Sequence, residues 1–128
     1  MKNAPKFYEL TKPERIELTA LIKKQIVHDL RIKQNKNTVS YFDNEDTYIR
    51  KSAYLNAGQI YFESKELQTV IIKLLEALMT NVSYKIRQTA INAAGEIGKS
   101  DFNAVEHIFD RGLFDEHHSP RNAVIGSL

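Results

Sequence analysis

The feature that most constrains the fold is a twelve-residue segment that occurs twice, 37 residues apart. Residues 49–60 (IRKSAYLNAGQI) align with residues 86–97 (IRQTAINAAGEI), and six of the twelve positions are identical. A third, weaker copy (PRNAVIGSL) occupies residues 120–128, 34 residues after the second, with its register open by one residue. Such self-similarity is typical of arrays of stacked units, in which each unit buries its apolar face against the next.

The stretches between the copies carry apolar residues at helical spacing. In residues 67–78 they fall at i, i+3, i+4, i+7, i+8 and i+11, which places them on one face of an α-helix. Small residues in the copies allow neighbouring helices to approach closely, and long side chains between the copies fill the space between units. We therefore expect an all-α fold. The long side chains that pair at an offset of 34 are Ile71 with Val105, Leu74 with Ile108, and Leu75 with Phe109.

Local signals place the ends of the expected helices. Thr11 and Glu14 form a capping box around Pro13, which predicts a first helix that runs to about Gln34. Its main apolar stripe is Leu18, Leu21, Ile22 and Ile26, while Ile16 and Val27 off that stripe suggest burial on more than one side. Residues 34–46 are predicted to be a loop with Val39, Tyr41 and Phe42 as anchors. A second helix is expected over 47–62, a third after an N-cap at Ser64, and a fourth over 84–97 with Gly98 as its stop. A fifth is expected from an N-cap at Ser100 to about Gly112, and a sixth from an N-cap at Ser119 followed by Pro120. The side chains of the fifth that are expected to point inward are Phe102, Val105, Ile108 and Phe109.

The segment 86–98 (IRQTAINAAGEIG) resembles the HEAT-like repeat family, including its lyase-type members. The resemblance covers about residues 46–128 and implies a right-handed α-solenoid of helical hairpins. Ala57 and Ala94 stand where the family usually has leucine, and Pro120 stands where an aliphatic residue is expected. The expected organisation is an N-terminal cap over residues 1–45, repeats over 46–80 and 81–114, and a partial repeat over 115–128.

Composition and charge exclude several classes of protein. The chain has no cysteine, so it has neither disulfides nor a thiolate metal site. Its start lacks the apolar core of a secretion signal, and its most apolar stretch, residues 69–79, is too short to span a bilayer. We therefore expect a cytoplasmic protein that does not interact with membranes. Residues 1–36 carry a net charge of +5 (nine Lys/Arg, four Asp/Glu) and residues 37–128 a net charge of −3 (nine Lys/Arg, twelve Asp/Glu), so basic character is confined to the N-terminal segment.

No pattern of residues indicates catalysis, a metal or a cofactor. His117 and His118 are adjacent in a segment with Asp115 and Glu116, and adjacent histidines do not readily bind one ion, so a solvated loop is the favoured interpretation. The resemblance to HEAT proteins implies that the repeated arginine belongs to a polar ladder between successive repeats. Those arginines are Arg50, Arg87 and Arg121.

Two surfaces are candidates for binding a partner. The first lies opposite the apolar stripes of the second helices, on the face that is commonly concave and partner-binding in this family. Its mixed charge suits a protein or peptide better than a phosphate backbone, and an ordinary solvated face is equally compatible. Its residues are Thr69, Lys73 and Glu76 on one helix, and Asn103, His107 and Asp110 on the other. The second is a basic face of the first helix, formed by Lys24, His28 and Arg31, with Lys33 and Lys36 beyond it. This face suits nucleic acid or an acidic protein, and a solvated face is the favoured interpretation there.

The sequence favours a non-catalytic HEAT-repeat scaffold or adaptor for protein–protein interaction. The alternative from another class is a nucleic-acid-binding protein that resembles the HEAT-like glycosylases of DNA alkylation repair. Members of that family use tryptophan on their concave face, and this chain has none. A structural fragment of a larger protein is a third possibility. Val124, Ile125 and Leu128 are expected to leave apolar surface at the C-terminal end, through which the chain either continues into further repeats or self-associates.

Overall fold

The computed structural model describes residues 5–128, which form seven α-helices and no strand. The expected all-α class is therefore confirmed for the described part of the chain, and residues 1–4 of the predicted cap lie outside it. Short 3₁₀ turns at Phe7–Glu9 and Lys65–Leu67 precede α1 and α4. The helices are α1 Lys12–Ile32, α2 Lys36–Phe42, α3 Thr47–Glu63, α4 Gln68–Leu78, α5 Tyr84–Gly98, α6 Phe102–Leu113 and α7 His118–Ser127.

The start of α1 follows the predicted capping box. Thr11 Oγ1 accepts the N–H of Glu14 at 3.3 Å, and Glu14 Oε1 accepts the N–H of Thr11 at 2.8 Å. The hydrogen bond from the Thr11 backbone is the main cause that lowers the pKa of Glu14. The reciprocal pair satisfies two N–H groups that the first helical turn leaves without intrahelical partners.

The predicted stripe of α1 is confirmed at Ile22 and Ile26 but not at Leu21, and Ile16, which was expected to be buried on another side, is exposed as well. Leu21 is 45% exposed and Ile16 is 60% exposed, so these two side chains were wrongly assigned to buried positions. The buried series is instead Ile22, Ile26 and Leu30, at an i+4 spacing that follows one face of the helix.

The prediction of a loop over residues 34–46 was wrong, because residues 36–42 form α2. The N-cap residue Asn35 provides no side-chain hydrogen bond, but Asp29 of α1 does so from outside the segment. Its buried carboxylate accepts the N–H of Thr38 at 2.7 Å, the Thr38 hydroxyl at 2.8 Å and the Asn37 amide at 3.0 Å. The predicted anchor Phe42 is fully buried, which fixes the other end of α2.

Helices α1, α3, α5 and α7 lie side by side and run in the same direction. Thr19 contacts Ser52 and Asn56, and one turn later Lys23 contacts Glu63, so residue numbers rise together along α1 and α3. A Cβ added at Gly58 of α3 would lie 2.7 Å from the Cβ of Glu96 in α5. One added at Gly95 would lie 2.6 Å from Ser127 Oγ in α7. Near the helix starts, Ser83 before α5 donates to Asp43 before α3 at 2.6 Å, and Arg87 of α5 donates to Asp115 before α7 at 2.8 Å. Each neighbouring pair in this row is thus parallel, and α3, α5 and α7 are closely packed.

Helices α4 and α6 pack against each other and against α5, beside this row. Ile71 and Leu75 of α4 and Val105 and Ile108 of α6 are buried in the core, as the repeated stripe predicted. The hydroxyl of Tyr61 at the end of α3 donates to Asp101 at the start of α6 at 2.6 Å, and this hydrogen bond, with burial, raises the pKa of Tyr61 to about 12.

Helices α3, α5 and α7 begin at three corners of the same construction. The first residue of each corner is Asn44, Asn81 or Asp115, and its side-chain oxygen accepts the N–H two residues later at 2.8–2.9 Å. Its carbonyl oxygen accepts a guanidinium N–H from the arginine six residues later. Because Arg87 and Arg121 make the same bond, the third copy of the repeated sequence aligns with the second at an offset of 34 residues. The three arginines are Arg50, Arg87 and Arg121.

The predicted starts of α3 at Thr47 and α5 at Tyr84 are confirmed, and their N-cap residues are Asp46 and Ser83. The predicted N-cap of α7 was wrong, because His117 caps this helix and α7 starts at His118 instead of after Ser119. Ser64 and Ser100 do not cap α4 and α6, whose N-cap residues are Leu67 and Asp101. The predicted end of α5 at Gly98 is confirmed.

Three further side chains differ from their expected burial. Phe102 is 43% exposed and stacks on the buried Phe109, with 5.7 Å between ring centroids. Val124 is fully buried, so the exposed apolar residues of the C-terminal end are Ile125 and Leu128 alone among the three expected. Leu74 is only partly buried, although it lies on the stripe that includes Leu75.

We expect Leu75→Ala to lower the free energy of unfolding by about 2–5 kcal/mol, because truncation of a fully buried leucine leaves a cavity. Leu74→Ala is the matched control on the same helix, and its cost should be clearly smaller because its side chain already borders solvent. Urea unfolding followed by circular dichroism at 222 nm measures both values. Equal losses for the two variants would show that the face of α4 has been misassigned.

Candidate functional site

The six residues predicted to form the partner face are all exposed on α4 and α6. The side chains of Glu76 and His107 meet across the two helices, with 2.5 Å between Oε2 and Nε2. They are 31 residues apart in the chain, so the two helices are offset by about one turn relative to the expected pairing at 34. Glu76 and His107 border a cleft of about 440 Å³ with Met79, Ile108 and Arg111.

Thr69 and Lys73 lie in a different place, at a groove of about 500 Å³ between α4 and the end of α1. The structure thus divides the predicted face into two parts. Asn103 and Asp110 of α6 are exposed and border neither the cleft nor the groove. The residues that line the groove are Leu30, Lys33, Gln34, Asn35, Thr69, Val70, Lys73, Leu74 and Ala77.

The basic face of α1 leads toward this groove along the chain. Lys24, His28 and Arg31 are all exposed, and Arg31 lies 4.0 Å from Glu66 near the start of α4. Lys33, two residues after Arg31, lines the groove directly. The two surfaces that the sequence suggested separately therefore approach each other where α1 ends.

The sequence placed Lys33 beyond the basic face of α1 but did not identify Leu30, Gln34 or Asn35 as site residues. Their position depends on the contact between α1 and α4, which are far apart in the chain, and local periodicity does not report such contacts. The sequence did contain one signal for Leu30. It lies four residues after Ile26, as Ile26 does after Ile22, so the apolar stripe of α1 could have been extended by one turn.

The segment 115–118 was predicted to be a solvated loop, and the structure contradicts this for Asp115 and His117. Arg87 donates to both carboxylate oxygens of Asp115, at 2.8 and 3.0 Å, and the two side chains are only 10% and 7% exposed. Burial by itself raises the pKa of Asp115, but the hydrogen bonds from Arg87 and from the N–H of His117 outweigh it, and the pKa is lowered. The same pairing raises the pKa of Arg87.

The His117 side chain has a structural role at the same corner. Its ring stacks on Tyr84 with 3.8 Å between centroids and 3° between planes. Its Nδ1 accepts the N–H of Ser119 at 3.0 Å and so caps α7. His118 and Glu116 next to it are exposed, as the prediction of a solvated segment requires.

The three repeated arginines have unequal partners. Only Arg87 reaches a carboxylate of the following unit, while Arg50 and Arg121 donate to the corner that precedes their own helix. A continuous ladder of arginine–carboxylate pairs is thus absent from residues 5–128. Arg50 also donates to Thr47 Oγ1 at 3.2 Å.

Within residues 5–128, no group of three or more histidine, aspartate or glutamate side chains could hold a metal ion. No helix over the same range is both long enough and apolar enough to cross a membrane. Comparisons of the chain with protein-family models, with curated proteins and with solved structures find no match. The candidate site therefore rests on the internal repeat and on the geometry of the chain itself.

We expect Arg87→Met to lower the free energy of unfolding by about 3–5 kcal/mol, because it leaves the buried Asp115 carboxylate without its cation. Arg50→Met, at the equivalent corner, removes hydrogen bonds to the Asn44 and Glu45 carbonyls and to the Thr47 hydroxyl but leaves no carboxylate unpaired, so it should cost less. Because the pKa of Asp115 lies below its ordinary value of 3.8, the contribution of the pair is complete at neutral pH and is lost as the pH falls below that value.

Urea titrations of wild type and both variants at pH 7 and pH 3 test this expectation. The difference between wild type and Arg87→Met should shrink at pH 3, while that for Arg50→Met should change little. A penalty for Arg87→Met that does not depend on pH would contradict the assigned role of Asp115.

Proposed function

We propose that the chain forms a HEAT-like α-solenoid with an N-terminal cap, which acts as a non-catalytic scaffold for protein–protein interaction. The parallel row of α1, α3, α5 and α7 supports the solenoid, because stacked repeats bring equivalent helices together in the same direction. The three equivalent corners support the repeat boundaries near residues 46, 81 and 115. The position of α1 beside α3, at the end of this row, is consistent with a cap that covers the first repeat.

The observation that carries the proposed binding role is the exposed surface of α4 and α6. It carries Lys73 and Glu76 on α4 and Asp110 on α6, and His107 of α6 contacts Glu76. A surface of mixed charge suits a protein partner, whose own surface charges are mixed. A phosphate backbone would be repelled by Glu76 and Asp110.

The second candidate is a nucleic-acid-binding protein of the alkylation-repair glycosylase kind. The exposed basic residues of α1 favour it, since Lys24 and His28 lie on the segment with a net charge of +5. The absence of tryptophan weighs against it. Retention on immobilised DNA separates the two candidates. When a protein binds through phosphates, the logarithm of its binding constant falls linearly with the logarithm of the salt concentration.

We also propose that the C-terminal end of the row is an association surface. Ile125 on α7 and Leu128 directly after it are 64% and 77% exposed, next to a Val124 that is fully buried against the preceding helices. A second copy of the chain would cover these two side chains in the same way.

Affinity capture from the source cell's lysate tests the proposed face when variants are compared. In Lys73→Glu/Asp110→Lys the charges of the face are exchanged without a change in net charge. The matched control Lys51→Glu/Glu17→Lys exchanges exposed charges on α3 and α1 instead. We expect the specific partner to bind the control like wild type and the face variant about tenfold less, or about 1.4 kcal/mol.

Recovery of the same proteins at the same level with the face variant would show that α4 and α6 do not form the interface. Salt-sensitive retention on DNA together with a lack of captured protein would favour the nucleic-acid candidate.

A further inference from the structure

The groove between α1 and α4 has an aliphatic floor and a basic rim. Leu30, Val70, Leu74 and Ala77 form its apolar part. The charged residues among its nine lining residues are Lys33 and Lys73, and none is acidic. A ligand for this surface therefore combines apolar groups with negative charge.

The floor offers apolar area that the chain itself leaves uncovered. Ile71 and Leu75 on the same helix are fully buried, whereas Val70 and Leu74 are only partly covered. Ala77 is exposed and adds no bulk, which leaves the groove open at the C-terminal part of α4. Covering these side chains with apolar groups of a partner would remove them from water, which is favourable.

The opposite wall of the groove is held in place before any ligand arrives. Lys33 adopts a left-handed conformation, with φ of 55°, that ends α1 and turns the chain toward α2. The N–H of Gln34 bonds to the Asp29 carbonyl at 2.9 Å, and the Asp29 carboxylate binds Thr38 of α2. Lys33, Gln34 and Asn35 thus form a fixed rim, and a fixed rim reduces the ordering cost of binding.

The surroundings of the groove extend its positive charge along α1. Arg31 and Lys36 flank Lys33 in the chain, and both are exposed. Two carboxylates lie near this segment: Glu66, 4.0 Å from Arg31, and the buried Asp29, which accepts hydrogen bonds from Asn37 and Thr38. The positive potential therefore favours a partner that brings its own carboxylates.

The side-chain types that line the groove argue against nucleic acid as the occupant. Single-stranded nucleic acid is held by stacking of bases on aromatic side chains beside a basic groove. The nine lining residues include no aromatic side chain. Branched aliphatic side chains suit the leucine-like side chains of a peptide instead.

We propose that this groove binds a peptide segment of a partner protein whose apolar side chains are flanked by carboxylates. The inference rests on the proposed scaffold function and names the chemistry of the partner at one part of the face. Lys33 and Lys73 pair with the carboxylates, and the partly exposed Val70 and Leu74 of the floor receive the apolar side chains.

Three fluorescent synthetic peptides of equal length probe the full chain by fluorescence anisotropy. The first combines glutamate with leucine, the second replaces glutamate by lysine, and the third replaces leucine by serine. We expect the glutamate–leucine peptide to bind at least about tenfold more tightly than either of the others. Its affinity should weaken as salt is added, since the rim lysines are exposed.

Two variants with matched controls locate the binding. Ala77→Phe fills the groove without a change in charge, and Ala20→Phe places the same side chain at an exposed position of α1 outside the groove. Lys33→Glu/Lys73→Glu reverses the rim, and Lys12→Glu/Lys51→Glu is its control of equal charge. We expect the groove variants to lose about tenfold or more in affinity while the controls bind like wild type.

Equal affinity for the glutamate and lysine peptides would overturn the inference, as would equal losses in groove and control variants. Tighter binding of a single-stranded oligonucleotide that the Lys33→Glu/Lys73→Glu variant abolishes would assign the groove to nucleic acid instead. If the peptides do not bind but capture of a partner still depends on Lys73 and Asp110, the groove proposal is rejected and the proposed scaffold function is retained. If the peptides bind but capture does not depend on those charges, the groove proposal is retained and the wider face on α4 and α6 is rejected.

Discussion

The close approach of parallel helices is the constraint on which the rest of the structure depends. Small residues hold α3 against α5 and α5 against α7, to the point where a methyl group at Gly58 or Gly95 would overlap its neighbour. This spacing lets Ile71 and Leu75 of α4 reach the core from the side. A larger separation would leave those side chains in contact with water.

The corners that begin α3, α5 and α7 make this spacing repeatable. An asparagine or aspartate side chain accepts one backbone N–H, and its carbonyl accepts the guanidinium of the arginine in the following helix. The arrangement satisfies polar groups at each helix start, where intrahelical partners are missing. At the second corner Arg87 also binds Asp115, which links two successive units through a buried ion pair.

Sequence reasoning succeeded where the fold depends on local periodicity, as in the stripes of α4 and α6. It failed at α2, because the side chain that accepts hydrogen bonds at the start of that helix belongs to Asp29, a residue of the preceding helix, and not to the N-cap residue Asn35. It also misjudged Asp115, since the burial of this carboxylate depends on the approach of Arg87 from 28 residues away. The groove depends in the same way on a contact between α1 and α4, so its residues could not be grouped from the sequence.

A distance between α3 and α7 tests the parallel row most directly. The chain has no cysteine, so Lys51→Cys/Asn122→Cys accepts spin labels at two exposed and equivalent repeat positions. Helices that pack side by side lie about 8–10 Å apart, so α3 and α7, with α5 between them, should be separated by roughly 16–20 Å. Pulsed electron spin resonance should therefore give one narrow distribution near that distance, widened by the label arms. A distribution near a single helix spacing, with α3 and α7 in direct contact, would contradict the row.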